Sequence, residues 1–132
     1  MRHYEIINDQ GLAGLSLTMR ELPQPSGDQV LVRVRASSVN YRDLMTVLDP
    51  VPRGIIYPRI PNSDGAGEVI AIGDAVTQFK VGEKVCGTFF QTWVEGAITA
   101  NDMANALGGT AEGMLAEYRI LNQNGLVPMP DG

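Results

Sequence analysis

His3 and Cys86 are the only histidine and the only cysteine among the 132 residues of this chain. A zinc centre takes three or four ligands from Cys, His and carboxylate groups, so these two cannot build one in the usual form. One cysteine also closes no internal disulfide. Cys86 sits in a strand-like pattern and reads as a buried, inert thiol, and His3, near the terminus, is assigned no role. Hydrogen-bond donors occur all along the chain, and residue type alone singles none of them out. Asn40 carries an amide, Tyr41 a phenol and Ser63 a hydroxyl. Each has a plain structural use as well: Asn40 as a helix cap, Tyr41 as core packing, Ser63 as an ordinary loop serine. Asp43 reads as a first-turn helix charge, and Asp64 as a loop organiser bonded to backbone amides. Arg42 and Arg53 could steer an anionic cofactor or simply solvate a surface. Phe89 and Trp93 could wall a substrate pocket or anchor the loop that carries them.

Phosphate-binding motifs are imitated but not completed. Gly65-Ala66-Gly67 begins like G-x-G-x-x-G, yet Ile70 stands where the third glycine belongs. The motif must also follow a strand and open a helix whose N-terminus holds the pyrophosphate, whereas these glycines lead into a strand. Gly108 to Gly113 fails the pattern too. The expectation is a chain without a phosphate-binding βα unit of its own.

The elements that position these residues are short. Met1 to Asn8 and Leu15 to Leu22 read as the arms of a hairpin turning at Gln10-Gly11, closed by the turn chemistry of Pro23 to Asp28. From Gln29 to Ser37 the period is two, with Val30, Val32, Val34 and Ala36 on one face and Leu31, Arg33 and Arg35 on the other. Asn40 then caps a two-turn helix, with Leu44, Val47 and Leu48 at i, i+3, i+4, which ends before Asp49-Pro50. Prolines 50, 52, 58 and 61 hold an extended, irregular loop. Gly65 to Ile72 is a strand, and a turn at Gly82-Glu83 leads into another ending near Thr88. Phe89 to Gly113 is the least readable stretch, with helix-like residues from Asn101 to Leu107, and a loop that long is often functional. Met114 to Leu121 and Leu126 to Met129 complete the strands. Short strands, frequent turns and 15 glycines predict a mainly β fold with short helices, a partly open β-barrel.

Composition narrows the function classes. At 44% apolar and 19% charged residues the chain is an ordinary globular one, long enough for one domain and a real core. Ten basic residues against fifteen acidic ones give a net charge of −5 with no basic run, which argues against nucleic-acid and anionic-membrane partners. No apolar stretch approaches the roughly 20 residues that span a bilayer, and no signal peptide is evident, so a cytoplasmic protein is expected.

Three segments in order, Ser38-Val39-Asn40-Tyr41-Arg42-Asp43-Leu44, Pro61 to Val69 and Phe79 to Val85, resemble the N-terminal GroES-like catalytic domain of the medium-chain dehydrogenase/reductase family. Leu107-Gly108-Gly109 and Leu115-Ala116-Glu117-Tyr118 look like its members that lack zinc. The resemblance covers essentially residues 1–132. It implies that Asn40 occupies the position of a cysteine zinc ligand in zinc-containing relatives, with Ser63 and Asp64 at a His-Glu pair, and that the cysteine-rich structural-zinc lobe is missing. A zinc-independent, quinone-oxidoreductase-like alcohol dehydrogenase is then expected, with no metal. The implied chemistry is hydride transfer between NADPH (or NADH) and a small carbonyl, enone, quinone or alcohol. On that reading Asn40, Tyr41 and Ser63 are catalytic, Asn40 and Tyr41 also meet the cofactor, and Phe89 and Trp93 line the substrate pocket. The Rossmann domain that would hold the dinucleotide is expected to be absent, leaving an inactive substrate-side domain with an apolar seam through which it self-associates as a homo-oligomer. The competing expectation is a non-catalytic binding or scaffolding module of the same fold.

Overall fold

The computed structural model describes residues 1–130. Its two N-terminal strands, β1 (Arg2–Ile6) and β2 (Leu15–Met19), form an antiparallel hairpin joined through a 3₁₀ turn over Gly11–Gly14. The main sheet contains β3 (Gln29–Ser38), β4 (Asp64–Ile72), β5 (Lys84–Gly87), β6 (Tyr118–Asn122) and β7 (Leu126–Pro128). Its spatial order is β6-β3-β4-β5-β7, with every neighbouring pair antiparallel. The two edge strands do not pair with one another, so the sheet curls without closing, as the turn-rich sequence predicts. Helix α1 (Tyr41–Leu48) fills the start of the β3–β4 connection, and a single turn, α2 (Ala100–Met103), lies in the long segment after β5.

One core sits on the inner face of this sheet. Val30, Val32, Val69, Val85, Leu121 and Leu126 from the strands meet Phe79, Leu107 and Met114 from the connections. The alternation expected along β3 holds for Val30 and Val32, but Leu31, on the opposite face, is buried too and Ala36 is exposed. Val30-Leu31-Val32 is a continuous apolar run, the pattern of a strand covered on both faces, so the expected period of two holds only around Arg33, Val34 and Arg35. Register shifts between Leu31 and Val32 and between Val34 and Ala36 bend β3 against β4. Gly67 lies inside that bend: a Cβ there would stand 2.2 Å from the Arg33 carbonyl oxygen. One beside Gly65 would stand 2.7 Å from Met114. The glycines that imitate a dinucleotide fingerprint therefore let one strand and one core side chain approach closely.

Three connections differ from expectation. The proline-rich loop contains a 3₁₀ turn at Val51–Arg53, closed by Gly54 at φ +68°. Helicity in the long segment stops at Met103 and does not reach Leu107. The strand expected from Met114 begins only at Tyr118, because the backbone before it is engaged elsewhere. Met114 and Leu115 donate to the carbonyls of Asn62 and Pro61 at 2.8 and 3.1 Å, and Glu117 donates to that of Arg2 at 3.0 Å. This strap ties the hairpin and the Pro61–Asn62 loop to the sheet. No helix among the described residues is long and apolar enough to cross a membrane.

A carboxylate pins the hairpin. Glu5 accepts from Arg20 at 2.7 Å and pairs with the imidazole of His3 at 2.9 Å, while Thr18 lies 2.9 Å from the same ring nitrogen. His3 thus has a structural place, fully buried beneath the hairpin. Burial alone would raise the Glu5 carboxyl, but its bonds to His3 and Arg20 outweigh this and hold it below its ordinary value of 4.5. A depressed carboxyl contributes stability above its unfolded pKa and loses it as pH falls through the folded value. The acid limb of an unfolding curve below about pH 4.5 is therefore expected to become shallower in Glu5→Gln, as read by circular dichroism. An unchanged limb would remove Glu5 from the acid response.

Candidate functional site

Helix α1 begins where β3 ends, and its first turn is built by Asp43. The Asp43 carboxylate accepts the backbone N–H of Asn40 at 2.9 Å, which is the return half of a capping box. Its other oxygen accepts the backbone N–H of Ser63 at 3.0 Å, and the side chain is only 2% exposed. One carboxylate thus joins the helix mouth to the loop entering β4. Asp43 is a first-turn charge, as expected, and also the bolt between the two segments that carry the candidate residues.

Asn40 is the N-cap by position, yet its amide is directed across the helix mouth. Nδ2 donates to Asp64 Oδ2 at 2.5 Å and lies 3.3 Å from Ser38 Oγ and 3.4 Å from Ser63 Oγ. The first bond is short, and the other two are at the weak limit of hydrogen bonding. Ser63 Oγ donates to the same Asp64 oxygen at 2.7 Å. Asp64 was expected to bind backbone amides; it instead gathers two side chains, because Asp43 already takes the Ser63 amide. The structure thereby brings Asn40, Ser63 and Asp64 into one cluster, with Asp64 the member that sequence reasoning placed in a different role.

The loop beneath is clamped. Asn62 adopts φ +70°, uncommon for a residue with a side chain, and its amide donates to Ser37 Oγ at 3.1 Å. A Cβ on Gly108 would stand 2.5 Å from the Asn62 carbonyl carbon, and one on Gly113 would stand 2.1 Å from the Pro61 oxygen. Ser63 is held so tightly that it is 2% exposed. It is a buried support for the cluster, and Asn40 and Asp64 are the partly exposed members.

Tyr41 departs from the core-packing expectation. As the first residue of α1 it is 78% exposed, free to meet a ligand but held by no neighbour. Cys86 departs as well. It is partly exposed and shares a cavity of about 280 Å³ with Asp64, Ser38, Ala36 and Ala66. In native protein Cys86 is expected to take up one equivalent of iodoacetamide, read by mass spectrometry; labelling only after denaturation would restore the inert-thiol reading. Phe89 lies under Arg42, whose guanidinium carbon is 5.0 Å from the ring centroid, and packs edge-on against Phe90. Trp93 is 45% exposed, sits edge-on to Phe90, and donates its indole N–H to the Gly96 carbonyl at 3.0 Å. That bond anchors the loop that carries it.

The model of the alcohol dehydrogenase GroES-like domain family matches residues 26–131. A zinc-type alcohol dehydrogenase-like protein of Schizosaccharomyces pombe is 37% identical over 111 residues, covering 83% of this chain and 32% of its own. A chloroplastic quinone-oxidoreductase homolog of Spinacia oleracea is 34% identical over 113 residues, covering 83% of this chain and 28% of its own. The solved structure of an assigned alcohol dehydrogenase from Sinorhizobium meliloti 1021 superposes with a TM-score of 0.86 at 30% identity, over 98% of this chain and 38% of that one. The chain thus spans about a third of the length of these relatives.

Proposed function

Since this chain belongs to the alcohol dehydrogenase GroES-like domain family, we propose that it is the substrate-side domain of an NAD(P)H-dependent oxidoreductase working without zinc on a small carbonyl, enone, quinone or alcohol. The observation that carries this is the Asn40–Ser63–Asp64 cluster at the mouth of α1. A zinc site draws on thiolate and imidazole ligands, and here the cluster offers an amide, a hydroxyl and one carboxylate already bonded to both. These donors do not fit the ion, even though one relative is described as zinc-type.

When bound, the dinucleotide supplies or accepts the hydride. What the chain adds is a prearranged donor. Asp64 holds one amide hydrogen of Asn40, and the other has only the two long contacts, so it is the hydrogen available to an oxygen gaining negative charge. Ser63 keeps Asp64 in place, Tyr41, exposed at the start of α1, would meet the cofactor, and Phe89 and Trp93 would line the substrate pocket on the family resemblance alone. Among the described residues no glycine turn opens a helix in the manner of a phosphate cradle, since Gly65 and Gly67 lie within β4. On this reading the pyrophosphate is held by a domain outside this chain, NADPH is preferred to NADH on the family resemblance, and the isolated chain is inactive. Exposed Tyr4, Leu17 and Met19 on the hairpin supply the apolar seam for self-association, and the compartment is cytoplasmic.

Calorimetry tests the reading. NADPH should bind a protein that joins this domain to a dinucleotide-binding domain and should not bind the 132-residue chain. Metal analysis of the joined protein should find less than a tenth of an equivalent of zinc. Tight binding by the short chain, or stoichiometric zinc, would overturn it.

A further inference from the structure

Behind α1, on the side away from the Asn40 cluster, lies a second cavity of about 260 Å³. Residues two apart on a helix point in nearly opposite directions, so Arg42 enters this cavity while Asn40 faces the other way. Thr46, one turn on, lines it with Arg42; Arg53 reaches it from the 3₁₀ turn, and Gly109 and Thr110 from the long segment. None of its lining residues is acidic.

The arginines are arranged for a guest. Arg42 Nη1 donates to the Leu107 carbonyl at 2.9 Å, and its plane is supported by the Phe89 ring. Nη2 packs against Gly109, so closely that a Cβ there would stand 2.2 Å from it. Asp43, its nearest carboxylate, is 3.8 Å off and already accepts two backbone amides. Arg53 has no ion-pair partner among the described residues. Burial first, and then the like charge of Arg53, lower Arg42 from its ordinary value against the opposing pull of Asp43; the guanidinium stays charged nonetheless. The Thr110 hydroxyl oxygen receives the Ala106 amide at 3.4 Å, which frees its proton for another acceptor. In a chain of net charge −5, two guanidiniums in one recess with no acidic lining residue concentrate positive potential there, with Asp43 and Asp64 outside the recess offsetting part of it.

We propose that this cavity is an oxoanion site that takes the phosphate or carboxylate group of a small molecule, through Arg42, Arg53 and Thr110. A planar guanidinium fork suits both groups. The site does not rest on the hydride-transfer reading, and its test transfers no hydride.

The test is titration calorimetry of the 132-residue chain with inorganic phosphate, succinate and ADP at constant ionic strength. Saturable binding of phosphate or succinate is expected, weakened at least tenfold in Arg53→Gln and unchanged in Arg33→Gln, an exposed arginine on β3. Arg53 is exposed, so its loss should leave the circular dichroism spectrum intact. ADP that binds more tightly than phosphate and is lost with Arg53 would assign the anion to a nucleotide and count against the reading that another domain alone holds the cofactor; succinate alone would assign the site to a carboxylate-bearing substrate. Absence of saturable binding, or equal weakening by Arg33→Gln, would overturn the proposal.

Discussion

Asp43→Ala is expected to destabilise the domain by about 3 kcal/mol or more, a large share of the roughly 5–15 kcal/mol that holds a domain folded. The reason is the double attachment of one buried carboxylate. Its two oxygens satisfy the amides of Asn40 and Ser63, which lie 23 residues apart in the chain. Alanine leaves both donors without partners, the Ser63 amide buried and the Asn40 amide part-buried, and each bond to a charged acceptor contributes about 1.5–3 kcal/mol. For a chain of this size the melting temperature should fall by roughly 10 °C. Asp43→Asn keeps one oxygen acceptor and should cost about half as much. A melting point within about 3 °C of the parent in Asp43→Ala would show that the two segments are held by something else.

The second large effect concerns turnover. In the joined protein Asn40→Ala should lower kcat by about 10²–10³-fold, the usual cost of deleting one prearranged oxyanion donor. KM for the carbonyl substrate should change little, since the lost bond forms only as charge develops. Ser63→Ala should do less, because Ser63 is buried and acts on Asp64. It is a positioning residue, and its loss should loosen the substrate KM along with kcat. If Asn40→Ala turned over within threefold of the parent, the amide would be a structural cap and the donor would have to be sought elsewhere, with Tyr41 first in line.

The sequence made the architecture readable because its local signals agree. Turn residues bracket each strand, Asn40 and Asp43 mark one helix start, and the apolar positions of β3 and β4 become the core. What escaped was long-range in origin. Met114 to Glu117 has strand composition, yet it runs as a strap because Pro61, Asn62 and Arg2 claim its backbone. Tyr41 has a side chain that favours burial, and only its place at the outer start of α1 exposes it. The exchange of roles between Asp43 and Asp64 could not be read from either neighbourhood. It depends on how the loop entering β4 folds back over the helix mouth, twenty residues away along the chain. Even so, Asn40 and Ser63 do meet, and the resemblance that paired them was carried by residues which the fold places side by side.

The strand order β6-β3-β4-β5-β7 also says something about how the domain comes into being on the ribosome. Strands β3, β4 and β5 are neighbours in both chain and sheet, so they can pair as soon as Gly87 has left the exit tunnel. Both flanks, however, are closed by segments made last, β6 beside β3 and β7 beside β5. Until Asn122 emerges a half-built sheet stands with two open edges, and until Pro128 follows the edge at β5 stays open, so Val85 and Val69 lack part of their cover. Those few seconds of synthesis are when a nascent chain is most vulnerable to pairing with a wrong strand, and chaperone demand should fall once both edges are covered.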